Sequence, residues 1–225
     1  MQKKFFILLW ICCVLASIAV LPYVHALGLI PSVDLKIFLL SLIQPAILFG
    51  IVCWVSYLLL KRVDIHPFGP VKPMILPGVI AGFIVGGVLV LLEKTLFAHS
   101  PLAATSFKPP AWAGFLASFY GGLNEEVLCR LFLATLIYFL FRKVSTKKTL
   151  AIWTSIIVAA LIFAIGHTPA LFKIMPSPSG FELFRILLLN TVPGIVFGWL
   201  YFRRGFFAGV FAHFVTDLMI HVFLR

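Results

Sequence analysis

"WAGFLASFYGGLNEEVLCRLFLATLIYFLF", residues 112–141, is an apolar run that holds two adjacent glutamates and an arginine. A helix rising ~1.5 Å per residue over that length exceeds the ~30 Å hydrocarbon core of a bilayer. The run therefore predicts a transmembrane helix that is strongly tilted or whose ends project into water. Glu125, Glu126 and Arg130 then lie at a depth where each charge costs roughly 2.5–3.5 kcal/mol on insertion scales. Residues this expensive face a protein interior or a wet cavity, and their default reading is functional.

The flanking sequence supports a membrane setting. Of 225 residues 62% are hydrophobic and 11% charged, against roughly 25% charged in a soluble domain. The apolar runs predict an all-α, polytopic transmembrane bundle of about seven spans (six to eight), at 4–22, 36–60, 74–92, 112–141, 149–167, 182–202 and 205–224. Proline and glycine punctuate the connections, as in "DIHPFGPVKP" (64–73) and "HTPALFKIMPSPSG" (167–180). Residues 1–105 are expected to supply N-terminal transmembrane helices and 106–225 the polar-bearing helix core, as one integral membrane unit. The N-terminal run, with Lys3 and Lys4 ahead of it, is longer than a usual signal core and reads as an uncleaved first span.

The net charge of +11 comes from 18 Lys and Arg against 7 Asp and Glu. These bases flank apolar spans, so they anchor and orient the chain and do not point to nucleic acid. With the N-terminus in the cytoplasm, 11 bases fall on the inner side, among them Lys61, Arg62, Arg142, Lys143, Arg203 and Arg204. Six fall outside: Lys36, Lys94, Lys108, Lys173, Arg185 and Arg225. That bias predicts a multi-pass protein of the cell membrane with a cytoplasmic N-terminus. Cys12, Cys13, Cys53 and Cys129 all lie in apolar segments without metal spacing and read as reduced, packed thiols.

Glu125, Glu126, Arg130, His167, His213 and Asp217 all fall inside predicted spans. Glu126 and Arg130 are four apart and share a helix face, as do Phe163 with His167 and His213 with Asp217. Glu125 is turned ~100° from Glu126 and is free to face a cavity. Counted from the base-rich ends, Glu125 lies ~24 Å deep, His167 ~28 Å, Asp217 ~20 Å and His213 ~14 Å, so His213 fits a common layer least well. A carboxylate and an imidazole sharing a water can take its proton, so that the oxygen attacks a carbonyl. A second polar pair can stabilise the oxyanion, a contribution often worth ~3–4 kcal/mol. The same Glu, His, His and Asp set also suits a divalent metal such as zinc. Blander readings stand beside these: Glu126–Arg130 as a packing pair, His213–Asp217 as a structural pair, and His25, His66, His99 and His221 as uninvolved. Gly82, Gly86, Gly87, Gly194 and Gly198 read as sites of close helix approach.

Together these residues resemble the CPBP family of intramembrane proteases, which includes type II CAAX prenyl endopeptidases, bacteriocin self-immunity proteins and lysostaphin resistance protein A-like proteins. The motif EExxxR appears as Glu125–Arg130, FxxxH as Phe163–His167, and HxxxN or HxxxD as His213–Asp217. The resemblance covers about residues 110–220 and implies that residues 106–225 form the catalytic core. It implies that Glu125 and His167 activate water, that His213 and Asp217 form the oxyanion site, and that Glu126 and Arg130 hold the helix. It implies an endopeptidase, glutamic-type or metallo-type, that cuts a membrane-associated peptide or protein. The reading favoured here needs no cofactor, with zinc as the alternative. Cys129 and Leu131 stand where members often carry an aromatic residue and a glycine, and Asp217 stands for the Asn of the prenyl-protein proteases. That last difference weakens any transfer of prenyl specificity. The competing readings are an ion-coupled transporter, against which no repeat is seen, and a non-catalytic immunity or scaffold protein.

Overall fold

The computed structural model describes residues 3–102 and 109–223. Lys108, Arg225 and residue 224 of the last expected span lie outside the described residues. The elements are α1 (Lys3–Ala19), α2 (Leu21–Ala26), α3 (Leu35–Leu60), α4 (Lys72–Lys94), α5 (Ala111–Phe119), α6 (Thr135–Val144), α7 (Lys148–Gly166), α8 (Thr168–Ile174), α9 (Gly180–Arg203) and α10 (Phe206–Leu218). Between α5 and α6 the chain stays helical in wider π-type turns, Tyr120–Glu125 and Val127–Ala134, and a third such stretch, Met219–Phe223, prolongs α10. Among the described residues there is no strand, so the fold is all-α.

Six helices are long and apolar enough to cross a membrane: Lys3–Ala26, Leu35–Leu60, Lys72–Lys94, Lys148–Ile174, Gly180–Arg203 and Phe206–Phe223. The remaining expected span, 112–141, is the composite rod from Ala111 to Val144. Its junction residues Phe119, Glu126 and Ala134 keep right-handed helical backbone, so the rod continues through its changes of hydrogen-bond pattern. Large apolar side chains point outward along the spans: Leu15 is 60% exposed, Ile51 60% and Ile84 62%. Exposed apolar residues over whole helices suit a lipid surround. The chain is a multi-pass membrane protein.

Two local details depart from the sequence reading. The first span is two helices, turned at Val20, with Pro22 in the opening turn of α2. The segment 167–180, expected as a connection, contains α8, with Pro169 in its first turn. Proline is tolerated there because that N–H has no helical partner in any case.

Side-chain caps and small residues place the helices. Asp34 caps α3 by accepting from the Ile37 N–H at 2.8 Å, and Ser179 caps α9 by accepting from Glu182 N–H at 3.2 Å. At the same end of α9, Ser100 donates to the buried Glu182 at 2.7 Å, and Arg185 pairs with Glu93 of α4 at 2.5 Å. Gly205 turns the chain between α9 and α10 with φ +112°, a region that favours glycine, and the next N–H donates to Pro67 O at 2.8 Å. Along α4 three glycines lie against α10: a Cβ at Gly78 would stand 2.7 Å from Ala208 O, at Gly82 2.7 Å from Ala212 O, and at Gly86 2.8 Å from Met219 Cβ. A Cβ at Gly194 would stand 2.9 Å from Ala160 Cβ and one at Gly198 3.1 Å from Ile156, so the two glycines let α9 seat closely on α7. Gly87, expected to act in the same way, faces open space.

Candidate active site

The composite rod and α10 lie side by side, and their polar residues converge on one imidazole. His213 is 5% exposed. Its Nδ1 lies 2.9 Å from Glu126 Oε1. A carboxylate accepts, so Nδ1 carries the proton and donates it. Nε2 then faces the other two acids, 3.5 Å from Glu125 Oε2 and 3.7 Å from Asp217 Oδ1. Asp217 is one turn along α10 from His213, which sets the second of these contacts.

Glu126 is fully buried, and its Oε1 also pairs with Arg130 Nη1 at 2.8 Å. The i, i+4 pairing persists although the backbone between the two residues is π-type. Arg130 is 2% exposed and donates from Nη2 to Gly194 O at 3.1 Å. Its guanidinium lies 5.1 Å from the Phe163 ring and 5.5 Å from the Phe197 ring. Phe197 stacks on the His213 ring at 4.8 Å, and Phe163 meets it edge-on at 5.9 Å. Two phenylalanines thus hold both the guanidinium and the imidazole, contacts of ~0.5–1.5 kcal/mol each beyond burial. Glu126, expected to hold the helix with Arg130, pairs with Arg130 and also accepts from His213 Nδ1.

Glu125 differs from its neighbour in keeping a 23% exposed side chain. It remains reachable, whereas Glu126 is sealed. Missing side chains make room for the acids. A Cβ at Gly121 would collide with Asp217 Oδ2 and stand 3.2 Å from His213 Nε2. A Cβ at Gly209 would stand 2.8 Å from Glu126 Oε2.

His167 occupies a separate position. It follows α7, and its Nδ1 donates to Phe163 O at 2.9 Å, which leaves Nε2 with the lone pair. Its ring lies 4.6 Å from that of Phe163. Among the described residues no carboxylate comes within ion-pair distance of it. Phe163 touches both histidine rings, so His167 and His213 flank one phenylalanine. Glu125, Glu126, Arg130, His213 and Asp217 are brought together, and His167 borders that group. Among the described residues no set of three or more His, Cys, Asp or Glu side chains is disposed to hold a metal ion.

Two participants escaped the sequence reading. Asn124, fully buried, donates from Nδ2 to Cys13 O at 2.9 Å and to Ser17 Oγ at 2.7 Å, tying α1 to the site rod. An amide beside two glutamates in an apolar run was the available signal. Tyr23 of α2 lies 2.7 Å through its hydroxyl from His221 Nδ1, one turn beyond Asp217. His221, expected to be uninvolved, therefore has a fixed partner. No local pattern could pair residues so distant in sequence.

The chain is thus a multi-pass helical membrane protein with a sequestered carboxylate–imidazole cluster, one carboxylate of which stays open. A family model, type II CAAX prenyl endopeptidase Rce1-like, matches residues 107–219, and the chain belongs to that family. Membership supports a CAAX-type intramembrane protease acting on a membrane-associated peptide or protein. No curated protein and no solved structure matches the chain.

Proposed function

We propose that the chain is an endopeptidase that hydrolyses a peptide bond of a membrane-associated protein by general-base attack of water, from the cell membrane and with its N-terminus in the cytoplasm. The observation that carries this reading is the contrast between the two adjacent glutamates. Glu126 is consumed by Arg130 and His213, whereas Glu125 is partly open, with its Oε2 3.5 Å from His213 Nε2. Glu125 polarises the water and takes its proton. His167, with its lone pair on Nε2, is the second acceptor at the edge of the site. The attacking oxygen forms a tetrahedral carbon, and the carbonyl oxygen becomes an oxyanion. His213 stabilises that charge through Nε2 when it carries a proton there, oriented by Glu126 behind and Asp217 beside it. An ionised Asp217 accepts only, so its role is to orient His213 or, when protonated, to donate. Transfer of the proton from Glu125 to the leaving nitrogen completes hydrolysis. Arg130 offsets the charge of Glu126 throughout.

The test compares Glu125→Gln, His167→Ala and His213→Ala with the wild type, reading cleaved membrane peptides by mass spectrometry in cells. Removal of the base is expected to lower cleavage ~10²–10⁴-fold. An unchanged peptide profile in all three variants would remove the protease reading. A strong chelator added to purified enzyme is expected to leave activity in place, and loss restored by zinc would reverse the metal-free assignment.

A further inference from the structure

A second polar concavity lies at the base-rich end of the bundle, far along the site rod from Glu125. It is a cleft of about 290 Å³ lined by Arg62, Val63, Asp64, Tyr138, Phe139, Arg142 and Lys143. Its only acid is already engaged. Asp64 pairs with Lys148 Nζ at 2.9 Å and accepts from the Tyr138 hydroxyl at 2.5 Å. These contacts hold its carboxyl at about 2, below the usual carboxylate range. Arg62, Arg142 and Lys143 thus outnumber the one acid of the lining, which Lys148 already pairs from outside it.

Arg142 is also set in place. Its Nη1 donates to Ser145 O at 3.2 Å and to Thr146 O at 2.6 Å, the exposed carbonyls just past α6. A guanidinium held in this way has little freedom left to lose. Lys143 Nζ lies 4.5 Å from the Phe139 ring, beside the cleft. Leu140, which precedes Arg142 and Lys143 on α6 and so lies on the membrane side of them, is 52% exposed. Charged donors above exposed aliphatic surface match an amphiphile with an anionic head and an acyl tail.

We infer that this cleft binds the phosphate of an anionic phospholipid, with Arg62, Arg142 and Lys143 as its donors and Leu140 alongside its chains. A soluble phosphate would satisfy the donors but not the aliphatic surface. The site lies on the rod that carries Glu125 and Glu126, so an occupied cleft anchors that rod at one end.

The experiment uses the full chain in neutral detergent, with lipid retention read by native mass spectrometry and unfolding followed by heating. Bases near an anionic surface each contribute severalfold to binding. Phosphatidylglycerol is expected to be retained about tenfold over phosphatidylcholine and to raise the unfolding midpoint. Arg62→Gln with Lys143→Gln should abolish that preference. Lys147→Gln with Arg203→Gln, which removes equal charge from exposed positions at the same end, should preserve it. Equal retention of the two lipids, or equal losses in the two double variants, overturns the site. Displacement of phosphatidylglycerol by inorganic phosphate at matched concentration overturns the lipid assignment in favour of soluble phosphate.

Discussion

Replacing Gly121 by alanine tests the placement of Asp217 more sharply than removing Asp217 would. The new methyl group would occupy space held by Asp217 Oδ2 and stand 3.2 Å from His213 Nε2. Asp217 Oδ2 is the tip of a side chain, so it can swing away with little penalty to folding. Gly121 sits in a helical stretch with negative φ, where alanine is otherwise favoured over glycine by about 1 kcal/mol. The variant is thus expected to unfold in detergent within a few degrees of the wild type. Its activity is expected to fall, because a displacement of about 1 Å at a reacting centre is worth on the order of 100-fold. Gly87→Ala is the matched control, since nothing lies within 4 Å of its added carbon; it should leave both stability and cleavage intact. Purified variants would be compared by melting temperature and by peptide products in membranes. Full activity in Gly121→Ala would mean that the Asp217 carboxylate is not where it is described or does not matter there.

Other outcomes follow from single contacts. Asn124→Ala removes two buried hydrogen bonds to α1 and leaves Ser17 Oγ short of a donor; it should destabilise the protein by about 1–3 kcal/mol, measured as a lowered unfolding midpoint. Asp64 is held at about 2 by Tyr138 and Lys148, below its unfolded value of ~3.9. Its contribution is therefore complete above ~pH 5 and lost as pH falls through 4 toward 2. The wild type should exceed Asp64→Asn in stability at pH 6 by no more than ~1 kcal/mol, since both side chains of the ion pair are half exposed. The difference should shrink toward pH 3, and a gap that widens on acidification would contradict the contact.

Three spans were legible at their ends because each stops on a charge a bilayer rejects: Lys61 after α3, Lys94 at the end of α4 and Arg203 at the end of α9. The turn at Val20 and the short helix α8 were not, since apolar residues and a proline fit a helix start and a loop alike. For the site, the pairing of Glu126 with Arg130 came directly from helical spacing. The meeting of both glutamates on His213 did not. A turn of ~100° between neighbours suggested divergent targets, yet an imidazole presents its two nitrogens in different directions and receives both acids. Counting depth ranked His213 as the poorest fit and His167 among the good ones. The structure places His213 at the centre and His167 at the edge. Depth along the membrane normal carries no lateral information, and tilt shifts it by several ångströms. Asn124, Gly121 and Gly209 matter through what approaches them from other helices, which only the packed bundle reveals.

The three glycines of α4 reach a further conclusion about the matched segment, 107–219. They let α10 and its continuation approach closely at intervals of four residues, against backbone at Gly78 and Gly82 and against the Met219 side chain at Gly86, like teeth meshing with a rack. The partner that fixes the axial position of His213 and Asp217 is therefore encoded upstream of the segment shared with relatives. A transplant of residues 107–219 alone would carry every side chain of the candidate site and still leave α10 without the rail that sets its register.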